Sequence, residues 1–143
     1  MADDRFVTTQ FCDDVRQELG NKVSLMGCYG HSMLVGTLPA ALPKLCVQIR
    51  IYTPVQRPFT KLSVRLMREG EVLGEIQFPQ DTLLAEEPNA HQSAHAQWRV
   101  TTAFIALSPF HIERPCRLNV EADTEDGLIN GGSFWIDHAP SPN

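Results

Sequence analysis

The sequence predicts an all-β fold, an immunoglobulin-like β-sandwich of about 7–9 antiparallel strands with at most one short helical turn. Three observations carry this. Apolar and polar residues alternate at period two along most of the chain, the mark of strands with one buried face. Turn residues recur between those runs at intervals of roughly 8–12 positions. No segment shows helical periodicity over a useful length. The chain has 143 residues, 43% apolar and 20% charged, which suits one globular domain with its own core. That domain spans 1–143, with an ordered part from about 4 to 138 and a flexible Pro-rich tail over 139–143.

Taken in order, Arg5 to Phe11 is β-branched and aromatic enough for a strand. Cys12 to Leu19 predicts a short helical turn, with Asp13 as its cap and Gly20 as its stop. Strands follow at Lys22 to Tyr29 and Ser32 to Gly36, then a connector from Leu38-Pro39 through Leu42-Pro43, where the two prolines exclude a helix. Leu45, Val47, Ile49 and Ile51 share one parity and Cys46, Gln48, Arg50 and Tyr52 the other, up to Pro54. Leu62, Val64 and Leu66 lead through Arg68-Glu69-Gly70-Glu71 to Val72, Gly74, Ile76 and Phe78, a β-hairpin. Gln80 to Gln97 is polar and reads as a long loop of the functional or mobile kind. Trp98, Val100, Thr102, Phe104 and Ala106 share an uncharged parity. Leu118, Val120 and Ala122 form the next strand, Asp123 to Gly127 an acidic turn, and Phe134 and Ile136 a short last strand after a bend at Gly131-Gly132.

Charge and composition exclude several classes. Twelve basic against seventeen acidic residues give a net charge of −5, which argues against general nucleic-acid binding. No apolar run reaches the roughly 20 residues of a membrane-spanning helix. The opening Met1 to Arg5 lacks the basic start and apolar core of a secretory signal, so a cytoplasmic setting is expected. Cys12, Cys28, Cys46 and Cys116 are too widely spaced for a zinc ribbon or knuckle. Their even number permits disulfides, but the expected compartment and the apolar runs around Cys28, Cys46 and Cys116 favour buried, reduced thiols.

Few residues propose chemistry. His91 and His95 would share a face on a helix, with Glu86, Glu87, His111 or His138 as a third metal ligand, but the zincin pattern is missing and two solvated loop residues are the plainer reading. Asp13 and Asp14 beside Arg16 and Glu18 would serve as acid–base or cation-binding carboxylates, or simply as acids at a helix start. Cys12 or Cys116 with His111 would need a depressed thiol pKa and an adjacent base to act as a nucleophile. Gly127 to Gly132 lacks the Lys-Ser/Thr of a phosphate loop and reads as a turn. No catalytic residue, metal or cofactor is therefore expected. The outward parities offer more. Gln48, Arg50 and Tyr52, with Lys61, Arg65 and Met67, and with Arg99 and Trp135, would form one sheet face with the aromatic and Arg content of an interface. Arg50, Tyr52, Arg65 and Trp135 are its expected partner-binding residues.

Phe11 to Glu18 followed by Gly20 to Gly30, the proline-flanked connector from Leu38-Pro39 into the strand ending at Tyr52, the charged hairpin Met67 to Leu73 and the final Phe134-Trp135-Ile136 together resemble an uncharacterised bacterial family, found also in prophage genomes, over about residues 4 to 138. The resemblance implies an immunoglobulin-like sandwich and carries no activity. The function expected is a non-enzymatic protein-interaction module that uses a sheet face or the 80–97 loop, binding a protein partner or a second copy of itself, and neither nucleic acid nor membrane. A phage or prophage product, either a small virion subunit or an inhibitor of a host factor, is the second reading. A metal-dependent enzyme built on His91 and His95 is the third.

Overall fold

The computed structural model describes residues 4–84 and 95–140. Its elements are β1 (Phe6–Glu18), β2 (Lys22–Cys28), β3 (Ser32–Val35), β4 (Ala40–Leu42), β5 (Leu45–Pro54), β6 (Leu62–Arg68), β7 (Glu71–Phe78), α1 (Gln80–Leu84), β8 (Trp98–Leu107), β9 (Phe110–Ile112), β10 (Cys116–Thr124) and β11 (Gly127–His138). The protein is all-β. Strands β2-β1-β5-β8 form one sheet, here sheet A, and β3-β11-β10-β6-β7 form sheet B. All pairings are antiparallel except β3 with β11. The short β4 and β9 pair with each other, and each follows a cis-prolyl bond, Leu38–Pro39 and Ser108–Pro109.

Alternation decides which side chains enter the core. Val47, Ile49 and Ile51 of β5 face Ile105, Ala103 and Thr101 of β8 from the directly opposite positions, and the first five of these are buried. Val64 and Leu66 of β6 and Leu118, Val120 and Ala122 of β10 line sheet B in the same way. The two sheets meet across this core, where the Phe11 ring stacks on Phe134 at 4.2 Å between centroids. Two glycines allow the close approach. A Cβ on Gly131 would lie 2.9 Å from Val7 Cγ1, and one on Gly74 would lie 2.9 Å from Ile105 Cγ2. The sheets therefore close on each other at β1–β11 and at β7–β8, where a side chain would hold them apart.

Four local expectations are corrected. Cys12 to Leu19 is not a helical turn, since β1 runs on to Glu18 and pairs residue by residue with β2 from Asp14↔Met26 to Glu18↔Lys22. Cys12, Val15 and Leu19 mimic helical spacing, but hairpin pairing overrides it and leaves Leu19 exposed in the turn. The Leu38 to Pro43 connector contains β4. The long polar loop opens with α1, whose Leu83 is buried, and residues 85–94 lie outside the described part. The last strand is long and absorbs Gly131-Gly132 as a bulge, because Asn119 faces Ser133 while Glu121 faces Asn130. Of the tail, Ala139 N donates to Val35 O at 2.8 Å, and 141–143 lie outside the described residues.

A buried arginine ties the N-terminus to this frame. Arg5 donates from Nε to Thr53 Oγ1 at 2.9 Å and from Nη2 to Glu125 Oε1 at 2.7 Å, with Asp126 Oδ2 3.2 Å from Nη1. Its guanidinium lies over the Phe59 ring at 4.4 Å. One side chain thus joins the β5–β6 connection to the β10–β11 turn.

Candidate functional site

Successive rows of side chains cross the outer face of sheet A, each set by strand register. Phe6, Tyr52 and Val100 form the first row, with Trp98 beside it opposite Pro54. Thr8, Arg50 and Thr102 form the second, and Gln10, Gln48 and Phe104 the third. Cys28, Cys12, Cys46 and Ala106 form the fourth. The uncharged parity of β8 is thus its outward one, so this end of the sheet is apolar toward solvent.

The first row is an aromatic cluster. Phe6 stacks on Tyr52 at 4.4 Å and 11°, and Trp98 meets Phe6 edge-on at 5.2 Å and Tyr52 at 6.5 Å. Phe6 is 40% exposed, Trp98 39% and Val100 36%. Ring contacts of this kind stiffen the cluster while leaving its surface in water. Arg50 stands exposed in the next row, and among the described residues no hydrogen bond or ion pair engages its guanidinium. The other charged groups of this face sit at the far end, where Lys44 pairs with Asp14 at 2.7 Å and Arg16 with Glu18 at 2.7 Å.

Sheet B presents a different outer face. Arg65 and Glu121 pair at 3.0 Å across β6 and β10, and Lys61 reaches Asp123 at 3.1 Å. Trp135 lies on β11, 47% exposed, between Arg117 and Ser32 in register, with the Arg117 guanidinium 5.8 Å from its ring centre. The four residues expected on one face are therefore split. Arg50 and Tyr52 are together on sheet A, and Arg65 and Trp135 are on sheet B, because the chain changes sheets between β5 and β6 and again between β8 and β10. Phe6 and Trp98 were missed as site residues. The uncharged β8 parity was the signal for Trp98.

The remaining candidates separate. Asp13 and Asp14 are neighbours on a strand and so point to opposite sides. Tyr29 Oη donates to Asp13 Oδ1 at 2.5 Å, whereas the Lys44 ammonium holds the Asp14 carboxyl below its ordinary range. Tyr29 is itself pushed up to about 12, first by burial and then by Asp13. Cys116 and His111 share the lining of an open cavity with Arg68, Glu69, Glu71 and Arg114, but burial pushes the Cys116 thiol up, the opposite of activation. His91, Glu86 and Glu87 lie outside the described residues. Among the described residues no three His, Cys, Asp or Glu side chains are grouped to hold a metal ion. Cys28 is exposed, contrary to the expectation of a buried thiol, while Cys12, Cys46 and Cys116 are buried and all four are free. No described helix is long and apolar enough to cross a membrane.

Comparison with family models, with curated proteins and with solved structures finds no match to this chain.

Proposed function

We propose that this chain is a non-enzymatic interaction module built on an immunoglobulin-like β-sandwich, and that it binds a protein through the aromatic end of the outer face of sheet A. The occupant we infer is a partner protein that offers an apolar patch with a carboxylate beside it. The observation that carries this reading is the cluster of exposed Phe6 and Trp98 with half-buried Tyr52, beside an Arg50 that no described residue engages. Aromatic rings and Arg are the groups that dominate interface centres, and a pre-packed cluster loses little side-chain entropy on binding. A carboxylate on the partner would complete Arg50, whereas on sheet B Arg65 and Lys61 already hold carboxylates. The immunoglobulin-like reading draws on strand order. The chain crosses between the two large sheets after β2, β3, β5, β7 and β8, and β8 returns beside β5 as β10 returns beside β6. A cytoplasmic setting belongs to the same reading, in keeping with four free thiols.

The test is site-specific photo-crosslinking in extract of the native host, with the photoreactive residue at position 98 or, as control, at 135. A single saturable product from position 98 is expected, competed by unlabelled wild type and roughly 30-fold less well by Trp98→Ala, the ratio for a 2 kcal/mol hot spot. Arg50→Glu should compete as poorly, and Trp135→Ala as well as wild type. A product from 135 alone, or none that wild type competes, overturns the reading. A wild-type dimer in sedimentation that Trp98→Ala dissociates would replace the partner protein by a second copy.

A further inference from the structure

The fourth row of sheet A brings three cysteines onto adjacent strands. Cys12 of β1 lies directly opposite Cys28 of β2 on one side and Cys46 of β5 on the other. Residues directly opposite in an antiparallel pair project from the same side of the sheet, so the three thiols stand in line. They are a row rather than a converging set, which fits the lack of a metal-holding group among the described residues.

The ladder distinguishes the two neighbours of Cys12. Tyr29 N donates to Phe11 O at 2.9 Å, so Phe11 turns its backbone polar groups toward β2. Such groups alternate in direction along a strand, and those of Cys12 therefore turn toward β5. Cys12 and Cys28 form a non-hydrogen-bonded pair, in which the Cα atoms are about 4.5 Å apart and side chains are closest. Cys12 and Cys46 form the wider pair, at about 5.5 Å. Both separations fall within the range a disulfide spans. Access then selects between them, because Cys28 is exposed while Cys12 and Cys46 are buried. An oxidant from solvent meets Cys28 first and finds Cys12 behind it.

We propose that Cys28 and Cys12 form a reversible cross-strand redox site that exchanges with a low-molecular-weight disulfide of the glutathione class. The Cys28 thiolate attacks one sulfur of the small disulfide, forming a mixed disulfide and releasing one small thiolate, which takes up a proton. The Cys12 sulfur then attacks Cys28 Sγ, loses its proton to solvent and expels the second small thiol. Two protein thiols are oxidised to one disulfide, and one small disulfide is reduced to two thiols. Burial, then the neighbouring Cys46 and Cys28, push the Cys12 thiol up to about 11, which makes Cys12 the resolving partner rather than the first nucleophile. The bond would staple β1 to β2 some 20 Å along the strand from Phe6, at about 3.3 Å per residue, away from the aromatic cluster.

The experiment exposes the reduced, folded full-length protein to oxidised glutathione and follows it by intact mass and peptide mapping. Wild type is expected to lose two of its four thiols, gain a linked pair of peptides carrying Cys12 and Cys28, and recover all four thiols in dithiothreitol. Cys12→Ala should stop at a glutathione adduct on Cys28, and Cys46→Ala should still form the link. A stable adduct on Cys28 in wild type with no link, a link through Cys46, or four thiols untouched overturns the proposal. The wild-type result decides the matter even if a cysteine variant fails to fold, and it is independent of partner binding.

Discussion

Replacing Arg5 by Ala should cost about 3 kcal/mol of folding stability, a figure within the range for breaking a buried ion pair. The side chain is 2% exposed and its Glu125 partner 26%. Removal forfeits the charge-assisted bond to Glu125, worth roughly 1.5–3 kcal/mol, and the cation–π contact with Phe59, worth roughly 0.5–2 kcal/mol. Thr53 loses less, because its hydroxyl still donates to Arg57 O at 2.6 Å. For a chain of this size each kcal/mol moves Tm by roughly 2–4 °C, so a fall of about 6–12 °C is expected in thermal melts, with a matching fall in the urea midpoint. Arg5→Lys keeps the charge but not the fork, and should fall between. The pH dependence is a second readout. Burial alone would raise the Glu125 carboxyl, but the hydrogen bond from Arg5, with backbone N–H groups, holds it below the ordinary 4.5. A carboxyl lower in the folded state stabilises the fold above its unfolded pKa and loses that contribution as pH falls through the folded value. Wild type should therefore weaken below about pH 4.5, and Arg5→Ala should weaken less steeply there. An Arg5→Ala loss under about 1 kcal/mol, or an unchanged acid limb, would refute the clamp.

Two further outcomes test the packing. Gly131→Ala places a Cβ 2.9 Å from Val7 Cγ1 and 3.1 Å from Val120 O, and should cost about 1–3 kcal/mol in urea unfolding by forcing the sheets apart. Trp135→Ala removes an exposed ring and its Arg117 contact, and should stay folded and soluble with less than about 1 kcal/mol lost, by circular dichroism and thermal melt.

Much of the strand content was legible because burial on one face writes period two into the chain. Leu45 to Tyr52, Leu62 to Phe78 and Leu118 to Ala122 read correctly for that reason, and the Glu69-Gly70 turn carries positive φ at both residues, as a two-residue hairpin needs. Cys12 to Glu18 did not read, since Asp14, Arg16 and Glu18 face outward near a sheet edge and no buried partner imposes a pattern on that half of β1. The candidate site was half legible. Alternation shows that Arg50 and Tyr52 share a face, and likewise which parity Arg65 belongs to, but it is silent on which sheet each strand joins. Arg65 fell on sheet B because the chain changes layers between Pro54 and Leu62, and Trp135 because it changes again between Leu107 and Cys116. Phe6 entered the site through a pairing forty-six residues distant, with Tyr52.

The contrast between the two outer faces bears on why an aromatic cluster survives in solvent. On sheet B two pairs of outward charges neutralise one another, Arg65 against Glu121 in register and Lys61 against Asp123 diagonally, so much of that face meets water with its charges matched. Surface pairs of this kind add little stability. On sheet A, β5 sends its core residues inward at Val47, Ile49 and Ile51, which fixes Arg50 and Tyr52 outward whatever their chemistry. The buried core does not call for rings at Phe6, Tyr52 and Trp98, which are not among the side chains packed against it. Three rings held in mutual contact at 4.4 to 6.5 Å, with a guanidinium beside them that no described residue engages, gain by being covered. The asymmetry between the faces thus supports the proposal that sheet A is the binding surface, and it does so on residues the core does not require.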